Sequence, residues 1–329
     1  MQTTQIERSQ LGALIVALAG IFAFVTIVIA DTTTTAVVVG NATPIISVSF
    51  NGGNAITLNE ASYSYASATV TVTDTNGCAT INYVSATAFL ASTSGVTKLN
   101  TSTNCTADDN NCYPTASTTA DIAAVSDTVC MATTTGNQCT GGVDTSVQYD
   151  CGFKFWYIAE ATDSGAPTWA SSMWILAATT SDGVATSTAS NTGQTVEINA
   201  LAALNLTSSL SYNTVTAGGN SGSTNATTTA TTTGNIAIDG QIYGNASYME
   251  SGPNQIHISR QKYNATPFVY SSAGTRLTSS TTPTLEFTTS EPTATTSDPA
   301  QTVSWGTEID TGQANGTYTG SSTVAAAAD

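Results

Sequence analysis

The densest chemistry in the chain is a set of six cysteines: Cys78, Cys105, Cys112, Cys130, Cys139 and Cys151. No Cys-x-x-Cys pair occurs, and the single histidine, His257, lies far downstream. A thiolate–imidazole metal site therefore has no ligand spacing to support it. In an exported chain an even count reads as disulfides. The shortest loops favour Cys105–Cys112 and Cys130–Cys139. That leaves Cys78–Cys151 as a long closure between two strand-like runs, one of the roughly 15 pairings six cysteines allow.

Other reactive groups are sparse. His257 sits in NQIHISR, and one histidine offers a hydrolytic triad a single base, with no serine partner marked by sequence. Glu160 and Asp163 flank a strand end, where solvated loop carboxylates are ordinary. The stretch Gly218 to Thr224 lacks the lysine of a phosphate loop and reads as a turn. Trp156, Trp169 and Trp174 could make a sugar platform, but tryptophans beside core strands belong first to the core. No enzyme is expected, and no cofactor is required. Calcium is the one candidate ligand, since hard cations take Asp, Asn and backbone oxygens. Its donors would be Asp74 and Asn76, Asp108 and Asp109, and Asp163, in loops expected to gather at one end of a sandwich. The competing reading is Asx-turns.

One segment stands apart. Leu11 to Ala30 (LGALIVALAGIFAFVTIVIA) is an uncharged apolar run, long enough as a helix to cross a bilayer. Such a run before a polar chain means export. Three fates compete: a retained anchor in the cell membrane, a signal peptide cut after Ala30, or a pilin-type helix packed into a filament core. The polar leader before the run is weakly similar to archaeal-type pilins, over the first 30 residues only. It lacks the Lys/Arg-Gly pair common there.

Composition narrows the partners. With 22 acidic residues against 6 basic ones and a net charge of −16, nucleic acid and anionic lipid headgroups are excluded as natural partners. Only 9% of residues are charged, so the surface is neutral-polar. The 40% hydrophobic content suffices for real cores. Asn-x-Ser/Thr triplets stand at Asn41, Asn100, Asn104, Asn205, Asn225, Asn245, Asn264 and Asn315. In so Ser/Thr-rich a chain they mark permitted glycosylation sites and no more.

Hydrophobic alternation predicts an all-β fold: two antiparallel β-sandwiches after the N-terminal helix. In the first domain (31–185), strands are expected over Ile45 to Phe50, Ala66 to Thr73, Ile81 to Leu90, Phe153 to Glu160 and Trp169 to Ala178. Residues 186–195 read as a linker. The second domain (196–329) should hold strands near Val196 to Tyr212, Ser223 to Thr232, Asn235 to Tyr243, Tyr263 to Ser271, Thr284 to Thr289, Val303 to Thr307 and Thr317 to Ala325.

The runs VTVTDTNGCATINYVSA, NCTADDNNCY and YDCGFKFWYIAEATDSG resemble immunoglobulin-like modules of bacterial and archaeal surface proteins, especially large extracellular proteins of ultra-small uncultured bacteria. STNATTTATTTGNIAIDGQIYG and VSWGTEIDTGQANGTYTGSSTV resemble the sandwich that often follows. The resemblance implies architecture and transfers no functional residue. The leading expectation is a cell-surface structural protein that partners itself, as a layer or filament subunit. The alternative is a secreted adhesin reading carbohydrate, a host or a neighbouring cell surface through residues 91–145.

Overall fold

A computed structural model describes residues 36–92, 110–117, 129–133, 137–141, 143–191, 196–207, 209–279 and 285–329. The run Leu11–Ala30, with its anchor, signal and pilin readings, lies outside the described residues. So do Cys105, Asp108, Asp109, Asn100 and Asn104. Among the described residues no helix is long and apolar enough to cross a membrane. The chain divides into two units, Met1–Gly40 and Asn41–Asp329. Of the first, Ala36 to Gly40 is described; it has no regular secondary structure and is exposed.

The second unit is all-β. Its first half contains β1 (Ile45–Phe50), β2 (Tyr63–Thr73), β3 (Tyr83–Ser92), β4 (Cys112–Pro114), β5 (Ala116–Ser117), β6 (Val129–Ala132), β7 (Ser146–Trp156), β8 (Ser172–Ser181) and β9 (Thr186–Ser190). They form two sheets, β1-β2-β7-β6-β5 and β4-β3-β8-β9. All pairings are antiparallel except β5 with β6. The alternation in β2 explains the layering. Ala66, Ala68, Val70 and Val72 point inward, and they meet Phe153 and Phe155 of β7 and Val84, Trp174 and Leu176 of the facing sheet. Thr and Ser take the alternate outward positions, where β-branched threonine suits a pleated surface.

The second half contains β10 (Leu204–Leu206), β11 (Ala226–Thr232), β12 (Ile238–Gly244), β13 (Tyr248–Ser251), β14 (Asn254–His257), β15 (Gln261–Asn264), β16 (Thr275–Arg276), β17 (Leu285–Thr289), β18 (Ala300–Thr307) and β19 (Ser322–Ala328). A five-stranded sheet runs β10-β11-β18-β15-β16, and a three-stranded one runs β17-β12-β19. Their shared core is built on Trp305, Val303, Ile242, Tyr263 and Leu277. β13 and β14 form a hairpin in which Ser251 pairs with Asn254 around Gly252-Pro253. Gly252 holds φ at 59°, a left-handed conformation that glycine adopts without strain.

The junction departs from expectation. Thr186 to Ser190 form β9, paired along β8, where a linker was predicted. Val196 and Ile198 are fully buried in the first core. The expected strand from Val196 to Tyr212 therefore begins as a seam. Ile56 N–H donates to the Glu197 carbonyl, Trp174 N–H to the Val196 carbonyl and Asn199 N–H to the Ile56 carbonyl. Only at Leu204 does the chain enter the second sheet pair.

The cystine pairing also differs. Cys130 and Cys151 are bonded, and so are Cys78 and Cys139. The expected Cys78–Cys151 and Cys130–Cys139 links are replaced by the exchanged pair. Register is the reason. Cys130 in β6 stands directly opposite Cys151 in β7, with Cα atoms 4.0 Å apart. Cys78, just past β2, donates its N–H to the Asp144 carbonyl and so lies beside the loop that carries Cys139. Cys112 is disulfide-bonded as well; its expected partner, Cys105, is outside the described residues.

Candidate binding groove

Of the predicted calcium donors, Asp108 and Asp109 lie outside the described residues, and the loops of Asp74 and Asp163 do not come together. β2 and β7 are antiparallel, with Thr73 opposite Ser146 and Tyr63 opposite Trp156. Asp74 follows β2 at one end of this pair, and Asp163 follows β7 beyond the other. Eleven residues of strand separate those ends by about 35 Å. Asp74 is buried, accepts from Asn76 N–H at 2.8 Å and from the Thr80 hydroxyl at 3.1 Å, and so closes an Asx-turn. Asn76 Oδ1 accepts from Ala42 N–H. Asp163 makes its own turn with Gly165 N–H at 3.1 Å. Among the described residues no cluster of three or more metal-binding side chains occurs.

The remaining singled-out residues scatter. His257 takes Ser259 N–H on Nδ1 at 3.1 Å, which caps a single turn, and its ring packs edge-on against Tyr248. Trp174 is core, with Nε1 donating to the Glu160 carbonyl at 3.0 Å. Trp169 is half-buried in a turn. Trp156 alone reaches an aromatic surface, on the outer face of β2 and β7. There its ring lies 5.7 Å from Tyr63, and Tyr63 lies 5.2 Å from the exposed Tyr65. Lys154 Nζ sits 4.0 Å above the Tyr63 ring, a cation–π contact. Of the sequons, Asn41, Asn205, Asn245 and Asn315 are exposed and Asn264 half-buried. Asn225 holds Phe268 N–H on Oδ1 at 2.8 Å, while its Nδ2, the atom a glycan would need, is buried.

One further feature escapes sequence reasoning. A groove of about 850 Å³ opens in the second half. Leu206 of β10, Thr207 and residues 210–217 form one wall. Residues 313–321 and the start of β19 form the other. Buried Trp305, Thr228, Ile256 and Met249 supply the floor. Trp305 Nε1 donates to Thr228 Oγ1 at 2.9 Å, which fixes the indole. Tyr212 donates to Gln261 Oε1 at 2.8 Å, and Tyr318 to the Ala314 carbonyl at 2.8 Å. Burial holds the Tyr212 hydroxyl well above the ordinary phenol value, with a smaller push from Tyr270.

Two properties define what the groove can do. Its lining contains no Asp, Glu, Lys, Arg or His, in a chain of net charge −16. It also lies at two sheet edges. Among the described residues β10 pairs only with β11, and β19 only with β12. Among the described residues, one buried side-chain atom of the lining, the hydroxyl oxygen of Thr307, has no hydrogen-bond partner. Such a groove suits an uncharged partner that brings both apolar side chains and hydrogen-bonding groups. No sequence signal marked it, because its lining comes from several separated segments, most of them loops. In sequence comparisons, no family model and no curated protein matches the chain.

Proposed function

We propose that this protein is an extracellular structural subunit that associates with copies of itself on the cell surface, as a layer or filament. The observation that carries the reading is the uncharged groove left open at two sheet edges. An edge strand is a template for pairing with another chain unless it is blunted by charge, proline or cover. Here the groove carries no charge that would repel a like-charged neighbour. Paired cystines in the first half fit life outside the cell, where disulfides persist. Leu11–Ala30 supplies export and, if retained, attachment.

Self-association is tested on the full chain, extracted in mild detergent and then dialysed. Multi-angle light scattering across a concentration series, with negative-stain microscopy, should show mass growing in steps of one subunit. A strictly monomeric species at every concentration would sink the reading.

A second reading, a secreted adhesin cut after Ala30, draws on exposed Tyr65 and its half-buried neighbours Tyr63 and Trp156. Aromatic faces stack on sugar rings, and Lys154 adds a donor. Binding to a panel of surface polysaccharides that disappears in Tyr65→Ala would favour it over the structural reading.

A further inference from the structure

Beyond self-association in general, the geometry points to a specific joint. We infer that Ala36 to Gly40 of one copy enters the groove of the next copy and lies beside β10 or β19 as an added strand. The inference rests on the self-association reading and gives it a mechanism.

The occupant is argued from the segment itself. Val37, Val38 and Val39 are 85%, 94% and 78% exposed, and they are consecutive. Three adjacent exposed β-branched residues are costly in water, and burial against an apolar surface removes that cost. They also favour the extended backbone. The segment is uncharged, and Thr32 to Thr35 precede it. Five extended residues reach about 17 Å, a length suited to a groove walled by short strands.

The groove supplies the complement. Its floor offers apolar contacts from Trp305, Ile256 and Met249, and Val324 of β19 adds another. The free edges of β10 and β19 offer backbone N–H and C=O groups of the kind an added strand pairs with. The lack of charge on both surfaces avoids desolvating an ion.

A strand alternates its side chains. Val37 and Val39 share one face, and Val38 takes the other with Ala36 and Gly40. We place Val37 and Val39 toward the floor, because two valines bury more than one. This gives the test a register that nonspecific stickiness would not reproduce.

Three full-chain variants are compared with wild type: V37D/V39D, V38D, and T317W, which fills the groove from its exposed rim. The first two alter exposed side chains, so their thermal melts should match wild type, and circular dichroism checks all three. Light scattering should show assemblies lost in V37D/V39D and T317W and kept in V38D. A fluorescent peptide of residues 33–41 (TTTAVVVGN) should bind the V37D/V39D chain, whose groove is then free. The same peptide with both aspartates should bind more than about tenfold more weakly. Assemblies unchanged in V37D/V39D would overturn this joint and leave self-association standing. A monomeric wild type that binds no peptide would remove both. A monomeric wild type, with peptide bound only after V37D/V39D, would mean that the segment occupies its own groove, which overturns the partner-copy assignment.

Discussion

Asn235 Nδ2 donates to the carbonyl oxygen of Ala159 at 2.8 Å, joining two positions 76 residues apart inside the protein. The same amide takes Leu201 N–H on Oδ1 at 2.7 Å and gives a second hydrogen to the Asn199 carbonyl at 3.3 Å. Asn235 is 2% exposed. It therefore clamps the last residues of the first half, the seam and the first residues of the second half. Neighbouring contacts reinforce it: Ala61 N–H reaches the Thr233 carbonyl, and Thr233 donates to Glu60 at 2.8 Å.

Removing that clamp should loosen the whole unit. Asn235→Ala leaves the Leu201 N–H and the Ala159 carbonyl buried and unmatched, at a cost of about 3 kcal/mol. Asn235→Asp should cost at least as much, because an ionised carboxylate cannot donate to either carbonyl. Urea denaturation gives the midpoint for each variant. A wild-type midpoint in Asn235→Ala would mean that the amide does not hold the halves together.

The cystine exchange is open to direct chemistry. Proteolysis without reduction, followed by mass spectrometry, should yield peptides linked Cys78–Cys139 and Cys130–Cys151. Recovery of Cys78–Cys151 would contradict the strand register. The sequence separations are 61 and 21 residues. Loop-closure entropy then assigns about 4 and about 3 kcal/mol to the two bonds. Cys78→Ser/Cys139→Ser should accordingly melt no higher than Cys130→Ser/Cys151→Ser.

Gly240 in β12 lies under the ring of Phe287 in β17. A Cβ built at residue 240 would stand 2.0 Å from the ring edge, inside van der Waals contact. The two residues are cross-strand partners, and the pairing slips just after them, between Gly240 and Gln241. Gly240→Ala should therefore destabilise by about 1–3 kcal/mol through overpacking. Phe287→Leu in the same chain should recover part of the loss, read as a non-additive double-mutant cycle. Simple additivity would show that the two sites are uncoupled.

High pH should unfold the second half. Burial first, and then the Glu308 carboxylate, push the Tyr270 hydroxyl up to about 12, from an ordinary value near 10. Tyr212 and Tyr263 shift the same way, Tyr263 through burial and its 2.6 Å hydrogen bond to Glu286. A raised folded-state value favours the neutral phenol. The stability it contributes is complete below pH 10 and is lost as pH rises from 10 through 12. Absorbance at the phenolate band should show a late group of tyrosines titrating together with loss of the β-sheet signal. Their free titration near pH 10 in folded protein would refute the burial of these hydroxyls.

Local pattern by itself determined the all-β class and many of the strands. Ile45–Phe50 is a strand because six residues alternate between turn signals, and the inward set of β2 was readable as Ala66, Ala68, Val70 and Val72. The β13–β14 hairpin around Gly252-Pro253 lay outside the strands expected from the pattern, because its short, mostly polar strands carry little hydrophobic signal. What stayed hidden depended on long-range geometry. Val196 and Ile198 look like the opening of a strand, yet they fill the first core, because burial there is worth more than ladder bonds elsewhere. Which cysteine meets which was decided by register across β6 and β7, and loop length was no guide to it. Antiparallel pairing of β2 with β7 sent the Asp74 and Asp163 loops to opposite ends. The groove needed all of this at once, since its walls are neighbours only after two sheets have packed and left their edges side by side.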